Sequence, residues 1–320
     1  MLFCYSRAMH TTLITGVNGF VGQHLARAMK KAGCQVWGVG QDATANPEVK
    51  QYLDHYLQCD LTDAKAVAEL PLNETDSIIN LAGLANVGAS FGQAELYQKV
   101  NVDILANIGA RLHPGKTRLI AISTGGVYDP FELQPATEAS KIVEASSTSP
   151  YVASKLAMEQ IAYGLRAMGV NCVIARPFNH LGPGQLPGFL IPDLTEQLVQ
   201  AQRQNKTTIM VGNLNTKRDY SDVRDVVSAY YSLATAKELK HPVYNVCSGK
   251  PLSGLQILDY IKAELDIENL DVTVDPKRVR ASDPAELSGD HSALSQDTCW
   301  QPMIPIGQTI HDFVSWYKTS

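Results

Sequence analysis

Positive charge is scarce in this sequence. Lysine and arginine number 27 against 32 aspartates and glutamates, a formal net charge of -5 over 320 residues. Coating nucleic acid needs a basic surface, so this balance argues against that role. It leaves room for a small anionic ligand, which a few local arginines can hold. Long apolar runs are also missing: none reaches the roughly 18 residues that suggest a membrane span. Met1 to His10 carries only Arg7 as a charge and has no long apolar core, which argues against a secretory signal. The six cysteines, Cys4, Cys34, Cys59, Cys172, Cys247 and Cys299, form no CxxC pair. That scatter disfavours a zinc site or a disulfide framework and predicts buried free thiols in a reducing compartment. Repeats and low-complexity tracts are absent too. A hydrophobic share of 45% is that of an ordinary globular chain. The expectation is a cytoplasmic protein of one large or two modest domains, with no metal.

The first half alternates short β-branched runs with longer amphipathic stretches. Strands are expected at Thr11–Thr15, Gln35–Val39, Ser77–Leu81, Arg118–Ser123 and Asn171–Ala175. Helices are expected at Gly22–Ala32, Leu96–Leu112 and Tyr151–Met168, and later at Leu194–Gln204. Such alternation implies an α/β fold with a parallel sheet covered on both faces. Glycine and proline become dense over Arg176–Gly188, and a second region is expected to begin there. Pro183, Pro187 and Pro192 punctuate the irregular stretch before the next helix.

Thr15-Gly16-Val17-Asn18-Gly19-Phe20-Val21-Gly22 follows the first strand and opens the first helix. Three glycines at that spacing allow a tight turn, close backbone approach and helix–strand packing. The helix start offers unpaired N–H groups and a positive dipole end to a pyrophosphate, so Gly16, Asn18, Gly19, Phe20, Val21 and Gly22 read as a dinucleotide cradle. Asp42 lies about twenty residues on, at the end of the second strand, where a carboxylate accepts from a ribose diol. No arginine or lysine stands beside it to neutralise a 2′-phosphate, which favours NAD(H) over NADP(H). Asp60 and Leu61 are placed to flank the adenine, and Leu81, Ala82 and Gly83 to line the cofactor's far side.

Tyr151 and Lys155 are four residues apart, on one face of a helix. A phenol titrates near 10 and is a poor acid–base at neutral pH unless a cation stabilises its phenolate. Lys155 supplies that cation and can also hold the nicotinamide ribose. Thr124 follows a strand end, where a hydroxyl can reach a reacting carbonyl oxygen.

Together the glycine turn, Asp60-Leu61, the 80–83 segment, Ser123-Thr124 with Val127-Tyr128, and Tyr151-x-x-x-Lys155 resemble the extended short-chain dehydrogenase/reductases, specifically the nucleotide-sugar epimerases, dehydratases and reductases. The likeness spans essentially the whole chain. It implies a Rossmann-type doubly wound sheet over 1–177 and about 218–247. A smaller substrate lobe would comprise about 178–217 and 248–320. Thr124, Tyr151 and Lys155 become the catalytic triad. The family usually dimerises through a four-helix bundle made by the helices near 96–112 and 151–168. Leu96, Val100, Ile104, Leu105 and Ile108 supply an apolar face for either core or interface.

The 4,6-dehydratases of this family carry a carboxylate pair or a Ser-Glu pair after the catalytic Thr; here stand Gly125 and Gly126, with no proton to give or take. Arg176 to Gln185, Gly212 to Asp225 and Tyr244 to Gly249 resemble the subgroup that reduces GDP-4-keto-6-deoxy-hexoses. That likeness implies contacts to a GDP-linked sugar from Asn86, Thr124, Asn179, Arg218 and Arg280. His180 reads as structural. A C4 epimerase with tightly bound NAD is the alternative. An epimerase/reductase lacks its extra Cys, since no cysteine stands between Cys59 and Cys172. A non-catalytic cofactor sensor would often lack the Tyr/Lys pair.

Overall fold

The computed structural model describes residues 9–276 and 284–319. Its strands are β1 (Thr11–Thr15), β2 (Gln35–Gly40), β3 (His55–Gln58), β4 (Ser77–Asn80), β5 (Arg118–Ile122), β6 (Cys172–Pro177), β7 (Asn179–Leu181), β8 (Thr208–Val211), β9 (Lys217–Asp222), β10 (Val243–Val246), β11 (Pro251–Ser253), β12 (Asp271–Val274) and β13 (Glu286–Leu287). The helices are α1 (Phe20–Lys31), α2 (Pro47–Lys50), α3 (Ala64–Ala68), α4 (Val87–Ser90), α5 (Ala94–Gly109), α6 (Pro150–Ala167), α7 (Leu190–Arg203), α8 (Val223–Thr235), α9 (Gly254–Glu264), α10 (Ser292–Thr298) and α11 (Ile306–Thr319).

Seven strands form one sheet in the order β10-β6-β5-β4-β1-β2-β3. The ladders from β3 through β2, β1, β4 and β5 to β6 are parallel. Parallel strands covered on both faces read as near-continuous apolar runs, and β4, Ser-Ile-Ile-Asn, is buried along its whole length. Leu13, Ile78, Leu119 and Ile174 from the strands pack with Leu105, Ile108, Met158 and Ala162 from α5 and α6. The strand order changes direction between β1 and β4. In open parallel sheets such a switch point leaves a crevice at the carboxyl ends of the strands, where ligands bind.

The chain forms two compact units. One comprises the described residues up to Ser123, with Ala145–Ala175 and Val227–Val243. The other comprises Thr124–Glu144, Arg176–Val226 and the described residues from Tyr244 onward. In the second unit β9 is the hub, pairing with β11, β13 and β7, while β8 pairs with β12. Leu194, Leu198, Ile257, Ile261, Ile310 and Phe313 from α7, α9 and α11 form its main apolar cluster.

Several details differ from the sequence-based expectation. Residues 218–226 lie in the second unit because β9 takes its ladder partners there. Residues 124–144 join it too, since Ala136 donates to the Ser288 carbonyl at 2.9 Å and accepts from the Asp290 amide at 2.9 Å. Helix α7 starts at Leu190, so Pro192 sits inside its first turn, where no intrahelical N–H is needed. Cys34, Cys59, Cys172 and Cys247 are buried free thiols, but Cys299 is exposed: it ends α10 in the left-handed conformation at the surface. Cys4 lies outside the described residues. On α5, Ile104, Leu105 and Ile108 are core residues, whereas Leu96 is 46% exposed. Among the described residues no helix is long and apolar enough to cross a membrane, and no cluster of His, Cys, Asp or Glu is placed to hold a metal ion.

Candidate active site

The glycine turn sits at the switch point. Gly16 adopts φ +63°, and a Cβ there would lie 2.9 Å from the amide nitrogen of Ala82 at the end of β4. Only glycine lets the two strand-end loops approach so closely. Thr15 reinforces the junction, donating to Asn80 Oδ1 at 2.7 Å and accepting from the Ala82 amide at 3.1 Å. A Cβ on Gly22 would meet the Gly16 carbonyl oxygen at 2.4 Å, so α1 lies directly on the turn. Helix α1 is capped by Gly19, with no side-chain cap and no acidic residue in its first turn. Its positive end therefore carries neither a side-chain cap nor a neighbouring carboxylate of its own first turn, which suits a diphosphate cradle.

Asn18 and Asp42 meet across this turn: Asn18 Nδ2 donates to Asp42 Oδ2 at 2.7 Å, and the Tyr56 hydroxyl donates to the Asp42 carbonyl at 2.8 Å. Asp60 accepts from the amide and hydroxyl of Thr62, which hold its carboxyl below the usual carboxylate range. Gln41 Nε2 reaches it at 3.4 Å, so Asp42 and Asp60 end neighbouring loops. Leu61 buries its side chain in the sheet core. Asn86 caps α4 through the Ala89 amide, and its carbonyl accepts from the Tyr97 hydroxyl.

Tyr151 and Lys155 lie on α6, which begins at Ser149 as N-cap and Pro150 in the first turn. Lys155 is buried, 8% exposed, and its Nζ donates to the Ile122 carbonyl at 2.8 Å, at the carboxyl end of β5. Burial pushes its ammonium down to about 8, while the Glu159 carboxylate pulls it upward. Burial likewise raises the Tyr230 phenol on α8, with Tyr151 adding to the effect. Asn101 on α5 ties the region together. Its Nδ2 donates to Ser154 Oγ at 2.9 Å and its Oδ1 accepts from the Leu84 amide at 2.8 Å. Ser154 in turn donates to the Tyr151 carbonyl at 2.7 Å. The loop after Gly83 is thus linked to the first turn of α6.

In the second unit Thr124 opens a short 3₁₀ turn, its Oγ1 accepting from the Gly126 amide at 3.1 Å. Gly125 lies against Phe178: a Cβ there would be 2.8 Å from ring carbons. Phe178 stacks with Tyr128, whose hydroxyl donates to Asn245 Oδ1 at 2.6 Å, and the Arg176 guanidinium carbon lies 4.9 Å from the Tyr128 ring centre. Asn179 is exposed on β7, and Tyr220, its ladder partner, lies two residues past Arg218 on β9. Arg218 is half-buried and donates to the carbonyls of Lys217 and Pro284. The His180 imidazole is pushed down by burial, with its Nδ1 3.0 Å from the Phe178 carbonyl. Arg280 lies outside the described residues.

Asn101, Ser154 and Glu159 escaped the sequence reading. Each is a common polar residue inside an otherwise apolar stretch, and its partner stands far away in the chain. The one available signal was polarity at helix positions that the apolar period assigns to the interior.

Comparison with known proteins agrees with this geometry. The chain is 31% identical to the GDP-6-deoxy-D-mannose reductase of Pseudomonas aeruginosa, covering 96% of each. It is 27% identical to the GDP-6-deoxy-D-talose 4-dehydrogenase of Aggregatibacter actinomycetemcomitans, over 88% of this chain and 89% of that one. The structure of RMD from Pseudomonas aeruginosa complexed with NADPH superposes with a TM-score of 0.81 and 27% identity, covering 97% of this chain and 99% of that one. A model of the NAD dependent epimerase/dehydratase family matches residues 12–247. With that match added to a parallel sheet, a glycine turn at its switch point and a buried lysine one helical turn from a tyrosine, the chain belongs to the NAD-dependent epimerase/dehydratase family.

Proposed function

We propose that the protein reduces the C4 keto group of a GDP-4-keto-6-deoxy-hexose with a nicotinamide cofactor. The observation that carries this reading is the buried Lys155 beside Tyr151, combined with glycine at 125 and 126 where a dehydratase needs its acid–base group. When bound, the dinucleotide supplies a hydride to the C4 carbon. Tyr151 donates its proton to the oxygen that gains the electron pair, and the resulting phenolate is reprotonated from water. Lys155 stabilises that phenolate. Thr124 already accepts from the Gly126 amide, which leaves its own proton for the same sugar oxygen.

Gly16, Asn18, Gly19, Phe20, Val21 and Gly22 hold the diphosphate, Asp42 reads the ribose, Asp60 and Leu61 flank the adenine, and Leu81 to Gly83 face the nicotinamide half. Asp42 favours NAD(H), although the similar RMD is complexed with NADPH. Asn86, Asn179, Arg218 and Arg280 take the nucleotide sugar, with the second unit as the substrate lobe. Two copies pair through α5 and α6. An open groove of about 700 Å³ there, lined by Ala94, Val102, Pro150 and Ala153 among others, supports that arrangement, and analytical ultracentrifugation tests it. The cytoplasm is the compartment the free thiols favour.

The test of the reaction is product analysis with GDP-4-keto-6-deoxy-mannose and NADH or NADPH. Stoichiometric cofactor oxidation with a 6-deoxy-hexose product is expected. Interconversion of a 4-hydroxy GDP-hexose with its C4 epimer, without net cofactor oxidation, would make the enzyme a C4 epimerase. Wild-type turnover by Tyr151→Phe would remove the acid–base assignment.

A further inference from the structure

The turn that carries Thr124 has few side chains of its own to hold it. Thr124 opens the 3₁₀ turn Gly125–Val127, whose first two residues are glycines. Tyr128 closes it, donating from its amide to the Gly125 carbonyl at 3.2 Å. The Tyr128 phenol is then fixed in two places. Its ring stacks on Phe178 with centroids 6.1 Å apart, and its hydroxyl donates to Asn245 Oδ1 at 2.6 Å. We propose that Asn245 is a positioning residue for Thr124, holding the turn through the Tyr128 hydroxyl. This rests on the reading above in which Thr124 meets the sugar oxygen.

Asn245 is fully buried, and Tyr128 is 1% exposed. The Asn245 Nδ2 donates to the carbonyls of Ala136 at 3.0 Å and Asp290 at 3.1 Å, and its main-chain amide donates to Glu138 Oε1 at 2.8 Å. Carbonyls can only accept, so these two fix the side chain with its NH2 group toward them and its oxygen toward Tyr128. The Tyr128 hydroxyl is therefore the donor, and its direction is set from the far side of the bond. One buried side chain thus ties Tyr128, at the end of the turn, to Ala136 further along the same segment. Ala136 is itself anchored, donating to the Ser288 carbonyl and accepting from the Asp290 amide, both at 2.9 Å. All these residues belong to the second unit. Neither near-isostere of asparagine supplies this set. Aspartate would set a carboxylate oxygen against two carbonyls, and leucine would withdraw the partner from all three groups at once.

Two readouts test the proposal. Amide hydrogen exchange, read by mass spectrometry on peptides spanning Thr124 to Tyr128, reports the turn itself. Asn245→Leu and Tyr128→Phe should each raise exchange there by about tenfold or more, with peptides of α5 and α9 as in the wild type. Kinetics with GDP-4-keto-6-deoxy-mannose and NADPH report the consequence. Both variants should lower kcat by about tenfold or more with KM for the sugar unchanged. In a Thr124→Ala background the same substitutions should cost less than about twofold, because the group they position is gone. Losses that multiply fully in that background would overturn the proposal, as would unchanged exchange at the turn. If Asn245→Leu fails to fold, Tyr128→Phe decides by the same two measurements, since it keeps the ring stack. Wild-type turnover by Thr124→Ala would defeat the role of Thr124 itself; an impaired Thr124→Ala with multiplying losses defeats only the role of Asn245. A wild type that leaves the sugar unreduced would defeat the reaction proposed above, and exchange at the turn still decides whether Asn245 holds it.

Discussion

Lys155 Nζ donates to the main-chain carbonyl of Ile122 at 2.8 Å, binding α6 to the carboxyl end of β5. Because the acceptor is a backbone atom, the lysine is tied directly to the sheet. Tyr151 stands one turn earlier on the same helix, and the chain leaves Ile122 to enter Thr124 two residues later.

That buried ammonium makes stability depend on pH. Lys155 titrates at about 8 when folded, against roughly 10.4 in an unfolded chain. Between these values the unfolded state binds more protons, so the lysine's destabilising effect fades as pH rises through the window and is complete below it. Lys155→Met should therefore be more stable than the wild type by about 1–3 kcal/mol at neutral pH. The gain should shrink as pH approaches that of free lysine, while turnover falls at least about 100-fold. Urea unfolding across pH measures the first effect and steady-state kinetics the second.

Gly22→Ala tests the packing of α1 on the turn. The added methyl would sit 2.4 Å from the Gly16 oxygen and 2.7 Å from Val17 backbone atoms, none of which can swing aside. A loss of about 1–3 kcal/mol in thermal or urea unfolding is expected. Dinucleotide affinity, read by calorimetry, should weaken by about tenfold or more as the N–H groups of the cradle shift.

Gly125→Asp asks whether an acid can simply be restored. Its Cβ would overlap the Phe178 ring, itself 6% exposed. The variant should lose about 1–3 kcal/mol of stability and show no loss of water from the sugar by mass spectrometry. Dehydrated product from this variant would contradict the packing argument.

Asp42→Asn removes the carboxylate that Asn18 holds at the end of β2. The ratio of kcat/KM for NADH over NADPH should fall by about five- to tenfold, since a 2′-phosphate no longer meets a negative charge. An unchanged ratio would place ribose selection elsewhere.

Motifs made of neighbours in sequence were legible without the structure. The three glycines at 16, 19 and 22 and the Tyr151–Lys155 spacing state their own geometry, because a tight turn and one helical turn are local facts. The β-branched runs placed β1, β2, β4, β5 and β6 of the main sheet within a few residues, but not β3 or β10. Pro192 misled the placement of α7, since proline breaks a helix interior but is compatible with a first turn. The unit to which 124–144 belongs was not legible either. It is set by bonds such as Ala136 to Ser288 and Tyr128 to Asn245, between residues more than a hundred positions apart.

The sequence by itself determined the α/β alternation, the dinucleotide turn and the candidate acid–base pair, because each depends on backbone periodicity and spacing. Tertiary structure alone decided that Lys155 is buried on Ile122, that Ser123 meets the buried Glu159, and that Gly125 faces Phe178. Burial and charge compensation are properties of assembled neighbours. The free energy of a buried ammonium or carboxylate depends on what surrounds it, and a linear sequence does not contain that surrounding.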